Sequence, residues 1–529
     1  MAIYTNLYLL VFLPLVLILY QIIPQKHRWK ILLCASYIMY FTFSKKLVLL
    51  LIGTAVFTHY ISIWMEWIDI RSKQEQAEAS DRKQKTEIKK GYQARKKGVL
   101  ALGVLVLLGI LFYVQYYNFF AENINKLAAH FSAAALPILD IAFPMGISFY
   151  TLEAIGYLAD VYWNRIPAEK HLGKLALFLS FFPQIMEGPI ARYSDTADQL
   201  YEGKPLNMGD LNAGFERILW GLFKKMIVSD RLATLTGELF NNYKDYHGVM
   251  IAVAAVTYTI QLYMEFSGSI DIVIGSGRLF GVKLPENFNQ PFSAQSAAEF
   301  WRRWHMSLGT WFKNYLFYPV TVSAPVKKWN RYARKRYGKY VSMLGASAMA
   351  LFPVWIATGL WHGAEWKYIF YGLYYFVILF IGVALEPFKE KRNQVLHIDP
   401  NAPWFKALRI LKTWLIIFTG ELFFNARGLK AGFIMFRNLF VDFHISDLWN
   451  GSFPETSLHT ADYLAIAGGC IVVWIVGFLR EHKVDLREKI LSSRLPLKWA
   501  AYYALILAIL IFGAYGAGYQ AVDLIYAGF

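Results

Sequence analysis

Residues 99–119 read VLALGVLVLLGILFYVQYYNF, a run without a single Asp, Glu, Lys, Arg or His. Coiled as an α-helix at 1.5 Å per residue, such a run reaches about 30 Å, the thickness of a bilayer's hydrocarbon core. Comparable runs recur outward from it at 5–23, 46–66, 340–361, 366–386, 408–424, 460–479 and 497–517. Weaker ones lie at 29–43, 141–163, 172–193, 213–230 and 249–280, where Gly, Pro and polar residues interrupt the apolar pattern. The reading is an all-α polytopic integral membrane protein with about 10–13 membrane segments, some of them re-entrant or amphipathic. The run at 5–23 has no basic stretch before it and no small-residue cleavage site, so it is read as a membrane helix and not as a cleaved leader.

Composition agrees. Of 529 residues, 56% are hydrophobic and only 17% charged, where a soluble chain carries about a quarter. The formal charge of +17 is concentrated between apolar runs, at 25–30 (QKHRWK), 71–97, 327–339 (KKWNRYARKRYGK) and 480–498. That distribution follows the positive-inside rule, which puts these stretches in the cytosol and the N-terminus outside. No soluble domain remains to carry a nucleic-acid role. The loop 67–98 reads as a solvated helical extension with Gly91 its only breaker before Gly98; a charged linker is preferred there over contact with anionic membrane lipids. Cys34 and Cys470 both sit in apolar runs and read as buried small hydrophobes. No internal repeat is visible, which counts against repeat-built transporters. The expected organisation is an N-terminal helical part (1–135), a core dense in Gly, Pro, Trp and single charges (136–390), and a C-terminal helical part (391–529).

Four constellations can carry chemistry. In Thr358-Gly359-Leu360-Trp361-His362-Gly363-Ala364-Glu365-Trp366, a histidine ends an apolar run between glycines. Ionisable groups at membrane depth are costly and usually face a cavity, which favours a functional His362. In Trp301-Arg302-Arg303-Trp304-His305-Met306-Ser307-Leu308-Gly309-Thr310-Trp311, helical spacing puts Trp301 and His305 one turn apart, and Trp304 and Trp311 on one face. An aromatic-belt helix holding a structural His305 explains this segment as well as a catalytic one does. Ser267 and Asp271 lie in a Gly/Ser-rich apolar stretch ending Gly275-Ser276-Gly277-Arg278, which lacks the strand and spacing of a nucleotide fingerprint. Asp271 and Arg278 are expected on one helix face, too far apart to pair. In Phe182-Pro183-Gln184-Ile185-Met186-Glu187-Gly188-Pro189-Ile190, two prolines around a glycine favour a broken or re-entrant element. No metal-ligand spacing, phosphate loop or nucleophile elbow is present in the sequence. General acid–base chemistry by histidine is the economical expectation.

Taken in order, Pro144-Met145-Gly146, Phe182-Pro183-Gln184, Gly188-Pro189-Ile190, Phe266-Ser267-Gly268 with Asp271, Phe300-Trp301, Arg303-Trp304-His305-Met306-Ser307-Leu308 and Gly359-Leu360-Trp361-His362-Gly363 resemble the membrane-bound O-acyltransferase family, in its bacterial branch. The resemblance implies a helical disc pierced by a tunnel, in the plasma membrane, with His362 and His305 as the family's histidines. Asp271, Trp304, Trp361, Ser267, Gln184 and Trp301 are implied as tunnel or supporting positions. It further implies a cytosolic thioester donor (acetyl-CoA or another acyl thioester), no tightly bound cofactor or metal, an extracytoplasmic glycan acceptor, and an SGNH-hydrolase-type relay partner. Three departures stand out. Asn314 replaces a common acidic residue, Glu187 replaces a small or apolar one, and the chain is longer than D-alanylation members, with 515–529 similar to the alginate-type C-terminus. The length and the C-terminus tilt the acyl group toward acetyl. D-alanyl transfer to teichoic acid and a non-enzymatic conduit remain as alternatives.

Overall fold

The computed structural model describes residues 3–131, 134–451 and 453–515. Most of the 515–529 stretch therefore lies outside the described residues. Among those described there is no strand, only helices and one isolated bridge between Phe288 and Trp304. Seven helical stretches are long and apolar enough to cross a membrane: Gln25–Glu78, Arg82–Ala129, Gly248–Leu279, Gly338–Trp361, Trp366–Val395, Thr460–Glu481 and Leu495–Phe512, with a shorter apolar helix at Leu7–Ile22. The run at 408–424 does fold as a helix, Pro403–Asn425, but Arg409, Lys412 and Glu421 fall within it. Of the weaker runs, 29–43 and 249–280 fold as the unbroken helices Arg28–Ser44 and Gly248–Leu279, whereas others are cut short by their own glycines and prolines. Helix Ile147–Tyr162 begins only after Gly146, and Leu172–Ser180 ends before Pro183.

Two compact units are present, residues 1–216 with 273–285, and residues 217–272 with those from 286 on. In the first, helices Val48–Glu78 and Arg82–Ala129 carry the charged stretch 67–98. The only interruption falls at 79–81, where Asp81 caps the second helix by accepting from Gln84 N–H at 2.6 Å. Gly91 and Gly98 do not break it; with nothing within 4 Å of either Cβ position, the expected breaker is simply absorbed by a long helix. Lys96 in that helix is buried and ties three segments together, donating to Val161 O (3.1 Å) and Asn164 Oδ1 (2.8 Å) and pairing with Asp69. Helix Ile147–Tyr162 is buried along almost its whole length. The broken segment after Ser180 packs on its start: a Cβ on Gly146 (φ +78) would stand 2.1 Å from Ile185 O, an approach that glycine alone permits. Cys34 and Cys470 are both free, and Cys34 is exposed where a buried position was expected.

The second unit is organised by the antiparallel pair Gly338–Trp361 and Trp366–Leu385. Apolar burial alone does little to draw helices together in lipid, so association relies on close packing at small residues. Here a Cβ on Gly359 would lie 2.4 Å from Tyr368 O, and one on Gly372 would lie 2.3 Å from Trp355 O. The two backbones meet where the chain turns through residues 362–365. Gly372→Ala is expected to lower stability by about 1–3 kcal/mol through overpacking. Gly382→Ala on the same helix, with open space around its Cβ position, is expected to be neutral or mildly stabilising. Thermal unfolding of the two variants in one detergent checks the contrast.

Candidate active site

His362 is the C-cap of helix Gly338–Trp361, its N–H donating to Gly359 O at 3.1 Å. Gly363 follows at φ +144 and donates to Leu360 O at 3.0 Å. This turn needs glycine, and it sends the chain into helix Trp366–Leu385 one short loop later. The histidine is thus held at the junction of two tightly packed helices, and only 5% of its surface is exposed. Its ring is surrounded by aromatic faces: Trp361 and Phe424 at 5.0 Å between centroids, Tyr371 at 5.8 Å and Tyr368 at 6.4 Å.

His305 does not sit inside an amphipathic helix, as its sequence pattern suggested. Helix Ala297–Arg303 stops, Trp304 is extended, His305 adopts φ +46, and a second helix runs Met306–Phe312. A left-handed non-glycine residue is strained and needs surrounding structure to hold it. Asn287 supplies that hold. Its carbonyl oxygen Oδ1 accepts from Ser307 N–H (3.0 Å) and Ser307 Oγ (2.9 Å), and its backbone oxygen accepts from Met306 N–H (3.0 Å). Asn289 N–H donates to Arg303 O at 2.9 Å on the other side of the break. Because Ser307 N–H can only donate, the Asn287 atom facing it is the oxygen, so the 3.2 Å contact from His305 Nδ1 is a donated hydrogen bond. That tautomer leaves the imidazole lone pair on Nε2.

The two histidines meet at Trp361. Its ring centroid lies 5.2 Å from that of His305 and 5.0 Å from that of His362. Phe266 closes on His305 from helix Gly248–Leu279 at 4.8 Å. One turn along from Phe266 the same helix presents a charged cluster. Lys224 Nζ pairs with Asp271 Oδ2 (2.6 Å) and donates to Ser267 Oγ (2.8 Å). Arg217 also pairs with Asp271 and grips Glu286 with both terminal nitrogens, at 3.0 and 2.6 Å. With Tyr263 and Arg480, these residues line a small polar cavity. Lys224 and its buried neighbour Lys225 lie on a π-type stretch, Phe223–Ser229, a local irregularity common at functional sites. Arg278, by contrast, pairs with Asp210 at 2.5 Å and not with Asp271, in line with the spacing argument.

The remaining expected positions divide by what they touch. Trp304 stacks on Phe300 (5.4 Å) and meets Phe288 (5.1 Å) and Tyr263 (6.0 Å), so it joins the His305 break to the polar cavity. Trp301 packs on Tyr375 (4.8 Å), Trp355 (5.1 Å) and Tyr371 (6.3 Å), backing the wall behind His362. Gln184 belongs to the first unit, where its Nε2 donates to Glu153 Oε1 at 3.1 Å and braces the broken segment together with Ala191 N–H (2.9 Å). Among the described residues no cluster of three or more His, Cys, Asp or Glu side chains is placed to hold a metal.

One group escaped the sequence reading. Glu421, 1% exposed on helix Pro403–Asn425, accepts from Tyr371 OH at 2.9 Å through Oε1, and Oε2 has no hydrogen-bond partner among the described residues. Tyr371 is the same side chain that faces His362. The signal was available as the one carboxylate in the run at 408–424, and an ionisable group in a membrane segment is a functional candidate by default.

Seven membrane-length helical stretches define the class of a multi-pass membrane protein, and two of its buried histidines share one indole. Residues 170–395 match the model of MBOAT, the membrane-bound O-acyltransferase family. The chain is 31% identical over 446 residues to a probable alginate O-acetylase of Azotobacter vinelandii, covering 84% of this chain and 79% of that one. It is 28% identical over 461 residues to a peptidoglycan O-acetyltransferase of Helicobacter pylori, covering 81% and 77%. A teichoic acid D-alanyltransferase of Bacillus subtilis is 28% identical over 287 residues, covering 54% and 69%. The chain belongs to the membrane-bound O-acyltransferase family and is a multi-pass O-acyltransferase.

Removing one member of a buried ion cluster leaves uncompensated charge. Asp271→Asn is therefore expected to cost about 3–5 kcal/mol. Glu286→Gln, at the exposed end of the same cluster, is expected to cost less than about 1 kcal/mol. Parallel thermal-unfolding measurements on the two variants test the ranking.

Proposed function

We propose that the protein moves an acyl group, acetyl by preference, from a cytosolic thioester to a hydroxyl of an extracytoplasmic polysaccharide or of a relay protein that passes it on. The observation that carries this reading is the common indole, Trp361, which brings two buried histidines from distant segments onto one site. In the proposed step the hydroxyl oxygen attacks the thioester carbonyl, and a new C–O bond forms as the C–S bond breaks. The hydroxyl proton passes to His362 and from there to the departing thiolate, so that ester and thiol are the products. His305, with its lone pair on Nε2, orients the reacting group through a hydrogen bond that it accepts; this tautomer suits orientation better than donation to an oxyanion. Glu421 holds Tyr371 against His362 and acts as a positioning residue.

Acetyl is favoured because relatives similar over most of the chain are named as alginate and peptidoglycan O-acetylating proteins. The D-alanyl relative is matched over 54% of the chain. The donor on this reading is acetyl-CoA or another acyl thioester, and an SGNH-hydrolase-type protein is the proposed relay. D-alanyl transfer is the second reading, and mass spectrometry of surface glycans from a deletion strain separates acetyl from D-alanyl esters.

His362→Ala, inserted and folded, is expected to abolish transfer, with a loss of at least about a hundredfold. Normal glycan acetylation by that variant overturns the assignment. Glu421→Gln and Tyr371→Phe are expected to lower kcat several-fold with KM little changed and to shift the pH–rate profile, which a merely structural lesion would leave in shape.

A further inference from the structure

A second site lies apart from the histidines, along the helical hairpin formed by Ala324–Arg336 and Gly338–Trp361. The hairpin turns at Gly338 (φ +86) and is fastened by Trp329, whose Nε1 donates to Ser342 O at 3.2 Å while its ring lies over Gly345. Beside this seam runs an open groove lined by both helices. Its two ends differ in chemistry. Arg331, Arg334, Lys335 and Lys339, all exposed, flank the turn. Farther along the helices the groove is floored by Val326, Ala346 and Ala350, with Phe317 at its far end. Between the two, Asn330 accepts from Ser342 Oγ at 3.0 Å.

None of these four cations forms an ion pair with a carboxylate among the described residues. From residue 300 to residue 364 the sequence holds no Asp or Glu. Helix-end cations can be explained by the carbonyl dipoles of the last turn, and basic loops by membrane topology. Neither accounts for a groove that grades from four unpaired cations to an apolar floor at the start of a membrane-length helix. An amphiphile with an anionic head and a hydrocarbon tail matches both ends at once; a free phosphate matches only one.

We propose that this hairpin groove binds a membrane phospholipid with an anionic headgroup. The phosphate lies among Arg331, Arg334 and Lys335, and one acyl chain lies along Val326, Ala346 and Ala350. The proposal stands independently of the acyl-transfer reading.

The test uses the full-length protein in nanodiscs of phosphatidylcholine with a titrated fraction of phosphatidylglycerol, retained lipid being counted by native mass spectrometry. Wild type is expected to retain phosphatidylglycerol in preference to phosphatidylcholine. At about 1 kcal/mol per cation, the triple variant R331Q/R334Q/K335Q weakens that retention on the order of a hundredfold. Ala346→Trp, which fills the floor and leaves the rim intact, weakens it at least tenfold. K327Q/K328Q, on the same helix but outside the groove lining, leaves it within twofold. Undiminished retention by the triple variant overturns the proposal, as does equal loss in K327Q/K328Q, which would mark diffuse surface charge. Competition by millimolar inorganic phosphate with no effect of Ala346→Trp overturns it in favour of a free-phosphate site. Preferential binding of a polyglutamate peptide at these cations overturns it in favour of an acidic protein partner.

Discussion

The second unit depends on one steric fact, that Gly359 and Gly372 let two helices touch backbone to backbone. Everything around His362 follows from that contact. The turn at 362–363 is short because the helices it joins are already together. The aromatic side chains of Trp366–Leu385 are brought beneath the histidine because Tyr368 and Gly372 lie on the contact face. In a bilayer, where apolar side chains gain little by leaving lipid for each other, such fit carries much of what burial in water does for a soluble core.

Both histidines stand where a helix ends, and this is no accident of sequence. Inside a continuous helix the backbone hydrogen bonds are internally satisfied, and the chain has no reason to present a polar group to a cavity. A break frees backbone groups that must be re-satisfied, and the residues recruited to do so fix the geometry of the break. Asn287 does this at His305, with one side-chain oxygen and one backbone oxygen. The Gly359 and Leu360 carbonyls do it at His362.

Much of this was legible in the residues, and the exceptions have physical causes. The membrane helices were readable because apolar length is a local property, and His362 because glycines on both sides of a lone histidine announce a turn. The break at His305 was not, since Trp301 to Trp311 keeps an acceptable helical spacing and the group that stops the helix, Asn287, lies outside the segment. Asp271 was noticed, but its partners Arg217 and Lys224 come from another helix. Gly91 and Gly98 misled in the opposite sense, because a solvated helix tolerates glycine where Asp81 caps it well. Glu421 went unread because a single carboxylate hardly disturbs an apolar run, although its burial makes it conspicuous in three dimensions.

The sharing of Trp361 has a consequence for how this enzyme can vary. One wall serves two rings, so neither histidine's surroundings can be remodelled without moving the other's. On the proposed function, substitutions at 305 and 362 act on one object, and their effects on transfer are expected not to add as those of separate sites do. On that reading, change of acceptor or donor is freer to come from the edges, such as the ionic cavity around Asp271 or the Tyr371 side of His362. The indole itself is the part least able to drift.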